Sequence, residues 1–157
     1  MKLSDIVCAD AIVVRLKSKQ RDEAIKELVQ ALGKAGAIPK NSVDGIAKAV
    51  IKRENEASTG IGKGVSVPHM KSTEVKDPVA TVGCSVEGID FASLDKQPVY
   101  SVVLLISPAS NPDKHLQAME TIFKNLQKDD FRRFLRQAQS VSEIQEILLD
   151  ADGSATE

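Results

Sequence analysis

The sequence has no tryptophan, one tyrosine and four phenylalanines in 157 residues. That is too few aromatic faces for a base-stacking platform on nucleic acid. An excess of charge is missing as well. The formal net charge is −1, so no global basic field draws the chain to nucleic acid. No apolar run reaches the roughly 18 residues that a membrane span needs. Met1-Lys2-Leu3-Ser4-Asp5 opens without the apolar core of a signal peptide. Only two cysteines occur, Cys8 and Cys84, with no Cys-x-x-Cys spacing. Isolated thiols fit a reducing compartment better than a disulfide, so a cytoplasmic location is expected. The two histidines, His69 and His115, have no cysteine or acidic ligand nearby in sequence. They make a poor zinc set, and no metal or other cofactor is expected.

What is present reads as an ordinary globular chain. Apolar residues make up 42% and charged residues 27%, which suits one domain with a buried core. That domain is expected over 1–150, with a flexible tail over 151–157. The stretch from Ile12 to Leu16 is β-branched and short, a predicted strand. After a Ser18 cap, Ala24, Ile25, Leu28, Val29, Leu32 and Ala35 recur at helical spacing. A second helix would bury Val43, Ile46, Ala47, Val50 and Ile51. Val65 to Val67 reads as a short strand and Lys71 to Asp77 as a polar loop. From Val79 to Val86 a strand places Ala80, Val82, Cys84 and Val86 on one face. The segment from Val99 to Ile106 is so apolar that it is predicted to be central and covered on both faces. Asn111-Pro112-Asp113 opens a helix whose inward face is Leu116, Met119, Ile122, Phe123 and Leu126. A short helix follows with Phe131, Phe134 and Leu135 inward. Ser140 and Glu143 have capping-box spacing before a last helix that buries Val141, Ile144, Ile147 and Leu148. Strands alternate with helices, so the class is α/β, a sheet of about four or five strands with helices on both sides.

Chemistry gathers between Ser58 and Lys71, Ser-Thr-Gly-Ile-Gly-Lys-Gly-Val-Ser-Val-Pro-His-Met-Lys. Gly60, Gly62 and Gly64 allow a bent backbone whose N–H groups can face an anion. Pro68 fixes its own φ and holds Val67 extended, so His69 is stiffly mounted. An imidazole beside glycines and the hydroxyls of Ser58 and Thr59 suits a nucleophile for a phosphoryl group. The glycines fit neither the dinucleotide fingerprint nor the P-loop. The stretch alone therefore says that an anion site near His69 is plausible, against the plainer account of a structural histidine. Asp90 and Asp95 read as turn residues.

A longer pattern is more specific. It comprises Arg53-Glu54, Ser58-Thr59-Gly60-Ile61-Gly62 and Gly64-Val65-Ser66-Val67-Pro68-His69. It continues through Ile89-Asp90-Phe91, Leu94-Asp95-Lys96-Gln97-Pro98-Val99 and His115-Leu116. It resembles the IIA component of the bacterial phosphoenolpyruvate-dependent sugar phosphotransferase system. The class is the fructose/mannitol one, which includes the nitrogen-regulatory IIA proteins. The resemblance implies an α/β sandwich around a mixed sheet of about five strands. It implies that His69 is the phosphoacceptor, taking a phosphoryl group from an HPr-like donor and passing it to a cysteine of a IIB component. The attacking atom would be Nε2, with Nδ1 held by a backbone carbonyl. His115 and Arg53 match the residues that stabilise the phosphoryl group, and Ser58 or Thr59 could add a hydroxyl bond. Each has a plainer account: His115 as an exposed helix residue, Arg53 as a counter-charge at its helix C-terminus. Lys63 and Lys71 are read as solvated charges outside the site.

Two departures bear on partners. Met70 stands where the family usually has glycine or another small residue, and with Ile61 and Val67 it is a candidate for the docking rim, although Val67 fits the core better. A separate polypeptide without a IIB or IIC segment is expected, which leaves sugar relay and regulation open. The alternative to the relay is a regulatory protein whose partner binding depends on histidine phosphorylation. No nucleic-acid partner is expected, and membrane contact at most through a transporter complex.

Overall fold

A computed structural model describes residues 1–155. In chain order the helices are α1 (Leu3–Ile6), α2 (Arg21–Lys34), α3 (Val43–Glu56), α4 (Pro112–Leu126), α5 (Asp129–Gln137) and α6 (Val141–Ala155). The strands are β1 (Gly60–Gly62), β2 (Val65–Ser66), β3 (His69–Ser72), β4 (Val79–Ile89) and β5 (Val99–Pro108). As its composition predicted, β5 is the centre, buried from Ser101 through Pro108. On one side it pairs antiparallel with β4. On the other it pairs in parallel with β2 and then β3, and β1 adds antiparallel to β2. The sheet is mixed and five-stranded, and the class is α/β.

β2 and β3 lie along one line. Val65 faces Ser101 and His69 faces Leu105, so the register is unchanged across the gap. Val67-Pro68 interrupts the strand without shifting it. Alternation along these strands then sorts the two cores. Val65, Val67, Val103 and Leu105 join the core under α1, α4, α5 and α6. Val102, Leu104 and Ile106 join the core under α2 and α3. Ile25, Leu28 and Leu32 of α2 are fully buried there, each burial contributing about 1.5–3 kcal/mol. α2 stops where Gly36 takes φ +77°, with Ala37 N–H donating to Leu32 O and Gly36 N–H to Gly33 O, a Schellman ending.

Several expectations are corrected. The segment from Ile12 to Leu16 is not a strand; it runs beside β4 after a tight turn at Ala9–Ala11 and meets it through an isolated bridge at Val13. It still covers the exposed edge of β4, with Val13 and Leu16 N–H donating to Val82 and Cys84 carbonyls. Ser18 does not cap α2. Its hydroxyl donates to Glu27 Oε1 at 2.7 Å, because Glu27 reaches back to collect the Lys17 and Ser18 amides. Lys71 and Ser72 are strand, not loop, because β5 offers them a partner. Leu116 and Phe134 are exposed rather than inward. Glu143 completes only half of a box: its N–H donates to Ser140 Oγ, but its carboxylate takes Gln139 N–H. The tail expected over 151–157 is helical as far as Ala155. Asp152 is buried there, its carboxylate accepting from Leu3 N, Ser4 N and Ser4 Oγ at 2.6–3.1 Å. Positions 156 and 157 lie outside the described residues.

Candidate active site

The strand interruption builds the seat of His69. Pro68 has no N–H to give to the ladder, and the Val67 carbonyl turns to the imidazole instead, 2.7 Å from Nδ1. A carbonyl can only accept, so Nδ1 carries the proton. In the neutral ring the lone pair is then on Nε2. The ring is half-buried.

His115 meets it from the first turn of α4. Asn111 caps this helix, its Oδ1 accepting from Lys114 N at 3.2 Å, with Pro112 at the first position. The two imidazole centroids are 5.9 Å apart and the planes are tilted by 36°. Nδ1 of His115 lies 2.8 Å from Oγ of Ser107, which is fully buried on β5. Burial holds the His115 pKa below the usual imidazole value, and the charges of His69 and Lys71 lower it further. The shift favours the neutral ring, which has one N–H to offer.

The other expected site residues are placed differently. Ser58 Oγ donates to the Phe91 carbonyl at 2.5 Å and accepts from Gly60 N at 3.0 Å. Thr59 Oγ1 donates to Glu54 Oε1 at 2.6 Å, and Thr59 N donates to Glu54 Oε2 at 2.7 Å. Both hydroxyl protons are committed within the protein. Arg53 donates from Nη1 to Ala57 O at 3.1 Å, so its fork is turned to the end of its own helix, and among the described residues no hydrogen bond joins it to either imidazole.

The glycine stretch is a hairpin rather than an anion cradle. Lys63 and Gly64 have φ of +59° and +79°, the pair of positive values that a two-residue hairpin turn needs. Lys63 N–H is taken by Asp95 at 2.9 Å; with Gln97 N–H on the other oxygen, these bonds hold the Asp95 pKa below the usual carboxylate range. Gly60 serves close approach, because a Cβ there would stand 2.2 Å from Ser93 Oγ. Met70 packs against the α2–α3 core, on the opposite face of the sheet from Val65 and Val67, and is not a rim residue. Val67 is core. Leu116, 58% exposed beside His115, supplies the apolar surface there.

The sequence reading missed Glu54 and Ser107 as positioning groups. Both carried a signal. A carboxylate in the last turn of a helix opposes the helix dipole, so Glu54 needed a partner. A lone hydroxyl after Val-Val-Leu-Leu-Ile, at a fully buried strand, needed one too.

A sequence model of the family described as "Phosphoenolpyruvate-dependent sugar phosphotransferase system, EIIA 2" matches residues 5–151. The chain belongs to that family. It is 32% identical over 152 residues to the fructose-specific EIIABC component of Bacillus subtilis, covering 97% of this chain and 24% of that protein. It thus spans about a quarter of that relative's length. It is 30% identical over 148 residues to the fructose-specific EIIA component of Haloferax volcanii, covering 94% and 95% of the two chains. It is equally 30% identical over 160 residues to a nitrogen regulatory protein of Escherichia coli, covering 100% and 95%. Among solved structures, nitrogen regulatory protein IIA-Ntr from Neisseria meningitidis superposes with a TM-score of 0.81 at 23% identity, over 93% of this chain and 98% of that one. The IIA of a complex between E. coli enzyme IIA mannitol and phosphorylated enzyme IIB mannitol superposes with a TM-score of 0.74 at 20% identity, over 91% and 96%. The EIIA fold is thus established for this chain. Among the described residues of this EIIA chain, no helix is long and apolar enough to cross a membrane.

Proposed function

We propose that this EIIA chain is a histidine phosphocarrier whose acceptor atom is Nε2 of His69. The observation that carries the reading is the 2.7 Å bond from Nδ1 to the Val67 carbonyl, which leaves the Nε2 lone pair free on a half-buried ring. That pair attacks the phosphorus of a phosphohistidine on an HPr-like donor. The donor's P–N bond breaks and its electron pair returns to the donor imidazole. In the second step a cysteine thiolate of a IIB component attacks the same phosphorus, and the pair of the P–Nε2 bond returns to His69.

The transfer asks for positioning and for charge complementary to the equatorial oxygens. His115, one phosphoryl group away, donates its Nε2–H, which requires that its Nδ1 accept from the Ser107 hydroxyl. Arg53 supplies a guanidinium that must leave the Ala57 carbonyl to reach the phosphoryl group. Ser58 and Thr59 shape the loop instead of binding phosphate, since their protons go to Phe91 O and Glu54. The E. coli complex pairs a IIA with a phosphorylated IIB, which supports a IIB acceptor. The fructose names of two relatives support sugar uptake through a cytoplasmic relay.

Incubation with phosphoenolpyruvate, the upstream enzyme and HPr should label the protein, and His69→Ala should abolish the label. A variant that still labels would move the acceptor elsewhere. His115→Ala should keep the label but slow its transfer by about 100-fold, the scale of a lost donor to developing charge.

A second reading rests on the nitrogen regulatory protein, which matches over the whole chain at the same identity as the Haloferax EIIA. There the state of His69 would govern binding to a regulatory target. Pull-downs with wild type and His69→Asp separate the two: recovery of a IIB protein alone favours the relay, and a state-dependent partner outside transport favours regulation.

A further inference from the structure

At the end of β5 far from Ser107 lies a small cavity of about 240 Å³. Val65 and Ser101 line it, four residues of strand from His69 and Leu105, about 13 Å, so this cavity is separate from the imidazole pair. One wall is the hairpin tip at Lys63. The other is a face of α5 where Asp129, Arg132, Arg133 and Arg136 recur at helical spacing. Tyr100 forms the floor, with the Arg136 guanidinium stacked 3.6 Å from its ring centroid.

The charges in this cavity do not balance. Arg132 pairs with Asp129 and donates to the Leu126 carbonyl at 2.7 Å. Arg133 pairs with Asp130 at the surface. Among the described residues, neither Lys63 nor Arg136 has an ion-pair partner. Four cations and one carboxylate line a hollow in a protein whose net charge is −1. Opposed walls of like charge repel, and an anion between them would relieve that cost. Arginine forks match phosphate oxygens in geometry as well as charge. Cations on two walls call for an anion that carries more than one charged group.

We propose that this cavity binds a compact multivalent oxyanion of the diphosphate class. Lys63 and Arg136 are its principal contacts, from opposite walls, with Arg133 recruited from its surface pair. The site is independent of His69.

The chain carries its own reporter, because Tyr100 is its only tyrosine and it has no tryptophan. Titration of the intact protein with sodium pyrophosphate should give a saturable change in tyrosine fluorescence and a one-site calorimetric isotherm. Lys63→Gln combined with Arg136→Gln should weaken the calorimetric affinity at least tenfold. Both side chains are exposed, so the fold should survive, and circular dichroism checks this. Arg133→Gln should give a smaller loss. His69→Ala and the remote Lys48→Gln should bind as the parent does. ADP as a second titrant separates the sources of the group: tighter binding than pyrophosphate assigns a nucleotide, equal or weaker binding assigns free diphosphate. The proposal is overturned by a non-saturable response, by the same response to sodium chloride at matched ionic strength, by parental affinity in the double variant, or by loss of binding in His69→Ala.

Discussion

His115 is half-buried and 2.8 Å from the Ser107 hydroxyl, its lowered pKa favours the neutral ring, and a neutral imidazole has one N–H for its two nitrogens. The Ser107 proton therefore decides which nitrogen of His115 is the donor. Ser107→Ala should leave His69 as acceptor but slow transfer about five- to tenfold, the worth of one hydrogen bond. Nitrogen NMR of the ring should show a tautomer change in this variant; an unchanged tautomer would make Ser107 a packing residue only. The depressed pKa of His115 also links to stability. As pH falls, the unfolded chain binds the proton before the native one does. The stability due to a neutral His115 is whole above the ordinary value of about 6.5 and is lost as pH falls through that value toward the lower folded one. His115→Gln should therefore lose less stability than the parent between about pH 7.5 and about pH 5, read from urea midpoints, and equal losses would exclude this residue as the source. By contrast, burial pushes the Cys84 thiol up to about 11, so it stays protonated and unreactive, in keeping with an isolated structural cysteine.

At the scale of elements, the hairpin from β1 to β2 is fixed by what leans on it. Ser93 lies against Gly60, and a Cβ at that position would also stand 3.0 Å from the Ser93 Cα. Gly60→Ala should lower stability by about 1–3 kcal/mol through overpacking, measured by urea denaturation; a change within error would mean that the loop over 90–97 simply moves aside. Which elements could be read in the sequence follows from how local their cause is. The α4 start was legible because Asn111-Pro112 acts within one turn, and β5 was legible because a strand covered on both faces is apolar throughout. The segment from Ile12 to Leu16 looked like a strand by residue type, yet its pairing depends on where the turn at Ala9–Ala11 delivers it along β4. β3 was hidden because Lys71 and Ser72 are ordinary loop residues that become strand only through β5. In the site, His69 and His115 could be named, but the loss of the Ser58 and Thr59 hydroxyls to Phe91 and Glu54 depends on contacts that span the loop. Met70 could not be assigned a face until the strand phase of β3 was fixed.

The whole molecule is closed by its two ends. Asp152 on α6 accepts the first amides of α1 together with the Ser4 hydroxyl, which satisfies a helix N-terminus with a charge of the right sign. Asp152→Ala should cost about 1.5–3 kcal/mol, the range for hydrogen bonds to a charged group. Removing residues 151–157 should cost at least as much, because Ala151 is also buried. Urea denaturation measures both, and a truncated chain as stable as the parent would show that the clasp contributes nothing. The two layers of helix and the central sheet then act as one body around the joint at Val67-Pro68. An imidazole hung from a splice in the innermost layer shares the stiffness of that layer. In the proposed relay the loaded donor and the empty acceptor would find the same perch, and neither would have to mould it.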